Sequence, residues 1–246
     1  MNPLAWLGAA LIGLSLGLTG AGGSIVTLPV LVYLAGVPPR EAVGLSLLVV
    51  GAAAAAGAVL RWRSGDFHPR AALLFALSGM AGAWLGAMFT HLLSPDLLVA
   101  LFAVLMLGVA GRMLFSRDGE TTMSPECRPW RCLGAGAGTG ILTGFLGVGG
   151  GFLLMPALIK FARLPLRMAT GTSLAVIAFN SAAGFAAHLG DGPVDWKLAG
   201  LFSGLAVTGA LAGNAMSAKL PVERLRQGFA AMVLTTGAVM LWRVLA

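Results

Sequence analysis

The residues able to carry charge chemistry are few, and they avoid the apolar parts of the chain. All nine acidic residues (Glu41, Asp66, Asp96, Asp118, Glu120, Glu126, Asp191, Asp195, Glu223) fall in polar segments or at the ends of long apolar runs. His68, His91 and His188 stand at run ends as well. Proton relays, cation sites and metal centres inside a membrane are built from ionisable groups. Their placement here argues against a cation pump, a carboxylate metal site and most enzyme chemistry, so no metal or cofactor is expected. A Ser/His intramembrane hydrolase is disfavoured too, because Gly171-Thr172-Ser173-Leu174 lacks a Gly-x-Ser-Gly nucleophile. Cys127 and Cys132 form an isolated CxxxxC pair without neighbouring histidines, a pattern that reads as reduced thiols.

What remains inside the apolar runs is neutral and rich in donors: Thr19, Ser24, Thr27, Ser46, Thr143, Thr172, Ser173, Asn180, Ser181 and Asn214. Hydroxyls, amides and the free N–H groups at helix starts suit a small anion. The candidate contacts are Thr19, Gly20, Gly22, Gly23, Ser24, Ser46, Gly147, Gly149, Gly150, Gly151, Ser173 and Asn180. Each has a plainer role beside that one. Ser46 and Ser173 also suit helix packing, and an interhelical hydrogen bond would equally satisfy Asn180.

The elements that must position these groups follow from composition. Of 246 residues, 58% are hydrophobic and 10% charged, and the mean hydropathy is +0.90. A soluble domain carries roughly 25% charged residues. Apolar runs long enough to cross a hydrocarbon core of about 30 Å recur along the chain. The expectation is an all-α polytopic membrane protein forming one transport domain in a lipid bilayer, with no nucleic-acid partner. The net charge of +7 then reads as anchoring loops. Met1-Asn2-Pro3 lacks a cationic leader, so no cleaved signal is expected.

The stretch GFLGVGGGFLLMP (144–156) has a partner at 17–29, 127 residues earlier. Gly17, Gly20, Gly22, Gly23 and Pro29 fall on Gly144, Gly147, Gly149, Gly150 and Pro156, and the match runs on without a gap through Pro38/Pro165, Arg40/Arg167, Gly44/Gly171, Ser46/Ser173 and Gly57/Gly184. The chain therefore reads as a duplication: repeat 1 over 1–116, a connector at 117–130 and repeat 2 over 131–246. Each repeat holds a long Gly-interrupted stretch (4–35; 132–159) and three ordinary spans, near 42–60, 71–92 and 97–115, then 168–187, 196–218 and 225–244. With 61–70, 112–131, 160–167 and 219–226 in the cytoplasm, only Arg40, Lys197 and Arg243 of the basic residues lie outside. Both termini are then outside, and the repeats are inverted. The stretch 132–159 must return to the face it entered. Two arms of about 14 residues reach only about 21 Å each, which implies a broken, re-entrant hairpin turning at the glycines. Non-helical backbone at that depth must be shielded by protein or line a wet cavity. Scattered glycines such as Gly79, Gly82, Gly86, Gly204, Gly209 and Gly213 read instead as packing notches.

The paired glycine motifs, each with its proline, and the segments AGVPPREAVGLSL and ARLPLRMATGTSL resemble the TauE/SafE family of sulfite exporters over nearly the whole chain. The resemblance implies transport of a small sulfur-containing anion, sulfite or an organosulfonate, across the bacterial inner membrane. One departure is that the first motif ends Gly-Gly-Ser and the second Gly-Gly-Gly, which makes the two turns inequivalent. The expected activity is secondary transport by alternating access around a midplane site between the two broken segments. The alternatives are a passive anion channel of the same architecture and, from another class, a membrane scaffold or intramembrane enzyme. The sequence leaves open whether a proton or sodium ion is coupled, and whether the chain forms a homo-oligomer.

Overall fold

The computed structural model describes residues 3–88, 95–115, 128–145, 151–188 and 195–245. Among them the regular elements are helices: α1 (Pro3–Thr19), α2 (Gly23–Pro29), α3 (Pro39–Arg63), α4 (Pro69–Met88), α5 (Pro95–Phe115), α6 (Pro129–Phe145), α7 (Gly151–Phe161), α8 (Leu166–His188), α9 (Trp196–Lys219) and α10 (Val222–Leu245). Five of these open on proline, whose fixed φ suits the first turn and whose missing N–H has no partner to lose there. Helix α9 is capped by Asp195, whose carboxylate accepts from the Lys197 and Leu198 amides at 3.0 and 3.1 Å. Helix α2 widens just past Pro29 into a π-helical turn, Val30–Leu34. Proline supplies no amide for the regular ladder, and the Val37 amide donates instead to the Leu31 carbonyl.

The first Gly-rich stretch is a hairpin of two helices. Helix α2 runs back along α1 so closely that a Cβ on Gly23 would lie 2.5 Å from the Ile12 carbonyl oxygen, and one on Gly8 would lie 2.6 Å from Val30 Cγ1. In the second half α6 and α7 pack on each other. The bend between them, with Gly147, Gly149 and Gly150, lies outside the described residues.

The halves interlock by reciprocal contacts. Helices α1 and α9 run parallel, with Gly13 and Gly17 against the Ala206 and Ala210 carbonyls and Gly209 and Gly213 against those of Ala10 and Leu14. Helices α4 and α6, their equivalents at an offset of 127, repeat the seam through Gly82 against the Ala137 carbonyl and Gly140 against that of Gly79. Helices α3 and α8 cross antiparallel: Gly57 meets Leu174, and the equivalent pair Gly184 and Leu47 meets symmetrically, with Cβ approaches of 3.0 and 3.2 Å. Small residues let backbones touch where the lipid offers no hydrophobic drive to hold helices together. Of the glycines expected to be notches, Gly82, Gly209 and Gly213 are, whereas Gly204 has nothing within 4 Å of its Cβ position.

Large apolar side chains point outward. Leu4, Leu7 and Leu11 of α1 and Leu73 and Leu77 of α4 are exposed, while Ala5, Ala9, Ala71 and Ala72 are buried. Trp62, Trp84, Trp130, Trp196 and Trp242 are exposed toward helix ends, the depth at which tryptophan anchors helices at a bilayer interface. Among the described residues, the stretches Glu41–Arg63, Leu166–Ala186 and Trp196–Lys219 are long and apolar enough to cross a membrane. The protein is a multi-pass membrane protein.

Two expectations need correction. Arg61, placed in a polar loop by its sequence, lies in the last turn of α3 and is buried. Cys132, expected as a reduced thiol, is disulfide-bonded.

Candidate functional site

The break between α1 and α2 is held by its own side chains. Gly20 takes φ +75°, the left-handed region that only glycine enters without a Cβ penalty. The Thr19 hydroxyl donates to the Ser15 carbonyl at 2.7 Å and accepts from the Gly22 amide at 3.0 Å, splinting the bend. From α8, the Ser173 hydroxyl reaches across to the Gly20 carbonyl at 2.9 Å, sharing its proton with the Thr170 carbonyl at 2.9 Å. A broken carbonyl buried in the bundle needs such a donor.

Gly22 and Gly23 are glycines for a different reason from the one expected. Gly22 is helical, at φ −73°, and neither residue is among those with positive φ. A Cβ on Gly22 would occupy the place of the Met232 methyl group from α10, and one on Gly23 would strike the back of α1.

The two Gly-rich hairpins meet at their tips. A Cβ on Gly151, the first residue of α7, would lie 2.7 Å from Ser24 Oγ, 3.0 Å from Ile177 Cδ1 and 3.2 Å from the Ala21 carbonyl oxygen. Ser24 and Gly151 are repeat equivalents in the sequence, and the fold brings them face to face. A side chain on both would collide. The departure between Gly-Gly-Ser and Gly-Gly-Gly thus has a steric cause: Ser24 fills the space that Gly151 leaves.

Of the remaining candidates, Ser173 is buried at this junction, while Ser46 donates to the Val43 carbonyl of its own helix at 2.7 Å. Gly147, the repeat equivalent of Gly20, lies outside the described residues with Gly149 and Gly150. Asn180 sits two turns beyond Ser173 on α8, its Nδ2 directed to Gly79 of α4 and its Oδ1 buried without a hydrogen-bond partner. Ser24 Oγ donates to the Ala21 carbonyl at 3.0 Å. The hydroxyl protons of Thr19, Ser24 and Ser173 all go to backbone carbonyls, so these hydroxyls serve the fold as it stands. Sequence reasoning missed Thr170, Ile177 and Met232, which pack against Gly20, Gly151 and Gly22. Thr170 lies one turn before Ser173 on the same face, and that spacing was the available signal.

A bundle with leucines turned to lipid and two short-helix hairpins meeting inside it is the build of a multi-pass membrane transporter. The chain belongs to the sulfite exporter TauE/SafE family, whose model matches residues 5–240. It is 33% identical over 240 residues to a probable membrane transporter protein of Xylella fastidiosa (strain 9a5c), covering 95% of this chain and 92% of that one. A probable membrane transporter protein of the Temecula1 strain is 34% identical over 245 residues, with the same coverage of 95% and 92%. The Bacillus subtilis (strain 168) probable membrane transporter protein YdhB is 26% identical over 193 residues, 76% of this chain and 79% of that one. No solved structure matches the chain.

Proposed function

We propose that the protein is a secondary transporter of a small oxyanion, sulfite or an organosulfonate, working by alternating access around the junction of the two hairpin tips. The observation that carries this reading is the approach of Gly151 to Ser24 and Ala21, which brings two helix starts together inside the bundle. The amides at a helix start carry partial positive charge, and among the described residues no aspartate or glutamate is buried. In the proposal the backbone around Gly20, Gly22, Gly23 and Gly151, with Gly147, Gly149 and Gly150, supplies the donors. Thr19, Ser24 and Ser173 brace the first turn, Ser46 stands on α3 as the repeat equivalent of Ser173, and Asn180 offers its amide at the edge. The chain is a single transport domain of two inverted repeats, 1–116 and 131–246. The antiparallel crossing of the equivalent helices α3 and α8 supports that inversion, since equivalent elements then run in opposite senses.

The placement in a bacterial inner membrane, with 61–70 in the cytoplasm and both termini outside, rests on the distribution of basic residues. Cysteine introduced at position 64 is expected to react with an impermeant maleimide only from the cytoplasm, and at 191 only from outside. Labelling of both from one face would end the inverted reading.

Flux of radiolabelled sulfite and of short sulfonates into proteoliposomes tests the activity. Uptake against a gradient that follows an imposed proton or sodium gradient supports the transporter. Uptake that only equilibrates indicates a passive channel, and absence of flux for every anion refutes the proposal.

A further inference from the structure

Arg61 is only 3% exposed in the last turn of α3. One terminal nitrogen of its guanidinium donates to the Ser217 hydroxyl of α9 and the other to Asp66 at 3.3 Å. Its Nε is buried and has no hydrogen-bond partner. Asp66 is the one carboxylate paired with it and is about a third exposed (32%), while Arg167 stands near enough to repel it. Arg167 itself donates to the Ala218 and Leu220 carbonyls, closing the end of α9. Among the described residues, two guanidiniums therefore stand against one carboxylate here, with the Arg61 Nε–H a donor to spare. A guanidinium offers five N–H donors in a fork that fits a planar or tetrahedral oxyanion better than a point charge does.

Its position ties it to the hairpin junction. A Cβ on Gly171 of α8 would run into Arg61 Cβ and the Asp66 carbonyl, Thr172 accepts from the His68 amide at 3.1 Å, and Ser173 donates to the Gly20 carbonyl. Three consecutive residues of one helix thus link the Arg61 pocket, the α3–α4 loop and the broken turn.

We propose that Arg61 is a second anion-binding station of the transport path, occupied in this conformation by Asp66 and released to a small oxyanion when that carboxylate swings out. Of the two acidic roles Asp66 plays here, counter-ion and plug, the second gives the pair its use: a partly exposed carboxylate is displaced by a competing oxyanion at modest cost. This inference rests on the anion-transport reading for its ligand class. A structural ion pair makes the opposite forecast for the same variants.

The test uses full-length protein in nanodiscs, with sulfite and sulfate as probes, a thermal-unfolding readout and the proteoliposome flux assay. Asp66→Asn leaves the buried guanidinium without its counter-ion, so the variant is expected to unfold at a lower temperature than wild type without anion. Added sulfite or sulfate should raise its Tm more than that of wild type, with binding tighter by about tenfold. Arg61→Gln should lack that added anion response, and the double variant Arg61→Gln/Asp66→Asn, which buries no unpaired charge, should fold and lose the gain seen in Asp66→Asn, keeping only the response of the hairpin junction. Destabilisation of Asp66→Asn with no gain in anion response, or an undiminished response in the double variant, overturns the proposal. Wild-type sulfite flux alongside either result leaves the transport reading standing; absence of any anion flux in wild type refutes that reading separately.

Discussion

Glycine does two different jobs in this molecule, and the contrast between the hairpin tip and the interhelical seams separates them. At the tip, Gly20 holds φ +75° while the Ser173 hydroxyl grips its carbonyl. Along the α1/α9 and α4/α6 seams the glycines are ordinary helical residues, and a Cβ would run into a neighbouring carbonyl. The tip requires glycine for a dihedral angle, the seams for proximity. Gly22 and Gly23 share the motif with Gly20 but belong physically with the seams. The first Gly-x-x-Gly-x-Gly-Gly is therefore a composite, in which one residue makes the turn and the others let it be covered.

The sharpest way to break this contrast is Gly20→Ala. Left-handed backbone costs a non-glycine residue about 1–2 kcal/mol, and the new methyl would lie 2.6 Å from Thr170 Cγ2 and 2.9 Å from Ser173 Oγ. The turn must then shift and pull its carbonyl from Ser173. Flux is expected to vanish while the protein still inserts and purifies. Normal flux from a well-expressed Gly20→Ala would show that the turn does not shape the site.

Second in size is a seam substitution, Gly82→Ala. The sequence reads Gly82 as a packing notch, and its Cβ would enter the Ala137 carbonyl, a backbone contact no rotamer relieves. Forced overpacking costs about 1–3 kcal/mol, so Tm should fall by several degrees, with flux per folded molecule reduced less than in Gly20→Ala. Unchanged Tm would mean that α4 and α6 do not touch as described.

These two cases mark what the sequence made legible. The helical spans and the first break were readable because proline, glycine and apolar run length act locally, and the Gly-Gly-Ser/Gly-Gly-Gly departure was visible as a difference. Its meaning was not, because only the folded chain brings Ser24 to Gly151. Arg61 escaped for a related reason: the rule that collects basic residues in cytoplasmic loops describes averages, and it carries no information about which arginine turns back under a neighbouring helix. Which scattered glycine meets a carbonyl likewise depends on the facing helix, so Gly82 and Gly204 looked alike.

The Ser24/Gly151 pair offers a finer probe. Gly151→Ser puts a side chain where Ser24 Oγ already lies 2.7 Å from the Cβ position, and is expected to cost about 1–2 kcal/mol in unfolding free energy. The swap Ser24→Gly/Gly151→Ser exchanges occupant and vacancy across the axis and should recover most of that loss. Coupling of this kind belongs to residues in contact and disappears for distant ones. Additive effects in the swap would separate the two tips and remove the junction on which the transport proposal stands.

The smallest expected effect comes from Gly204→Ala on α9. Nothing lies within 4 Å of its Cβ position, its φ is helical because it sits between buried Phe202 and Ala206 in an unbroken helix, and it faces away from the bundle. Neither job of glycine applies there. Alanine is the better helix former by at most about 1 kcal/mol, and much of that gain is muted when a long helix is already held by its neighbours. Flux should match wild type, and Tm should stay level or rise by a degree or two. A clear loss would mean that a surface open in the single chain is occupied in the membrane. A second copy packed against Gly200 and Gly204 would then have to be sought by crosslinking at those positions. Retained function would leave Gly204 as the reference against which the losses at Gly82 and Gly20 are measured, with helix propensity as their common background.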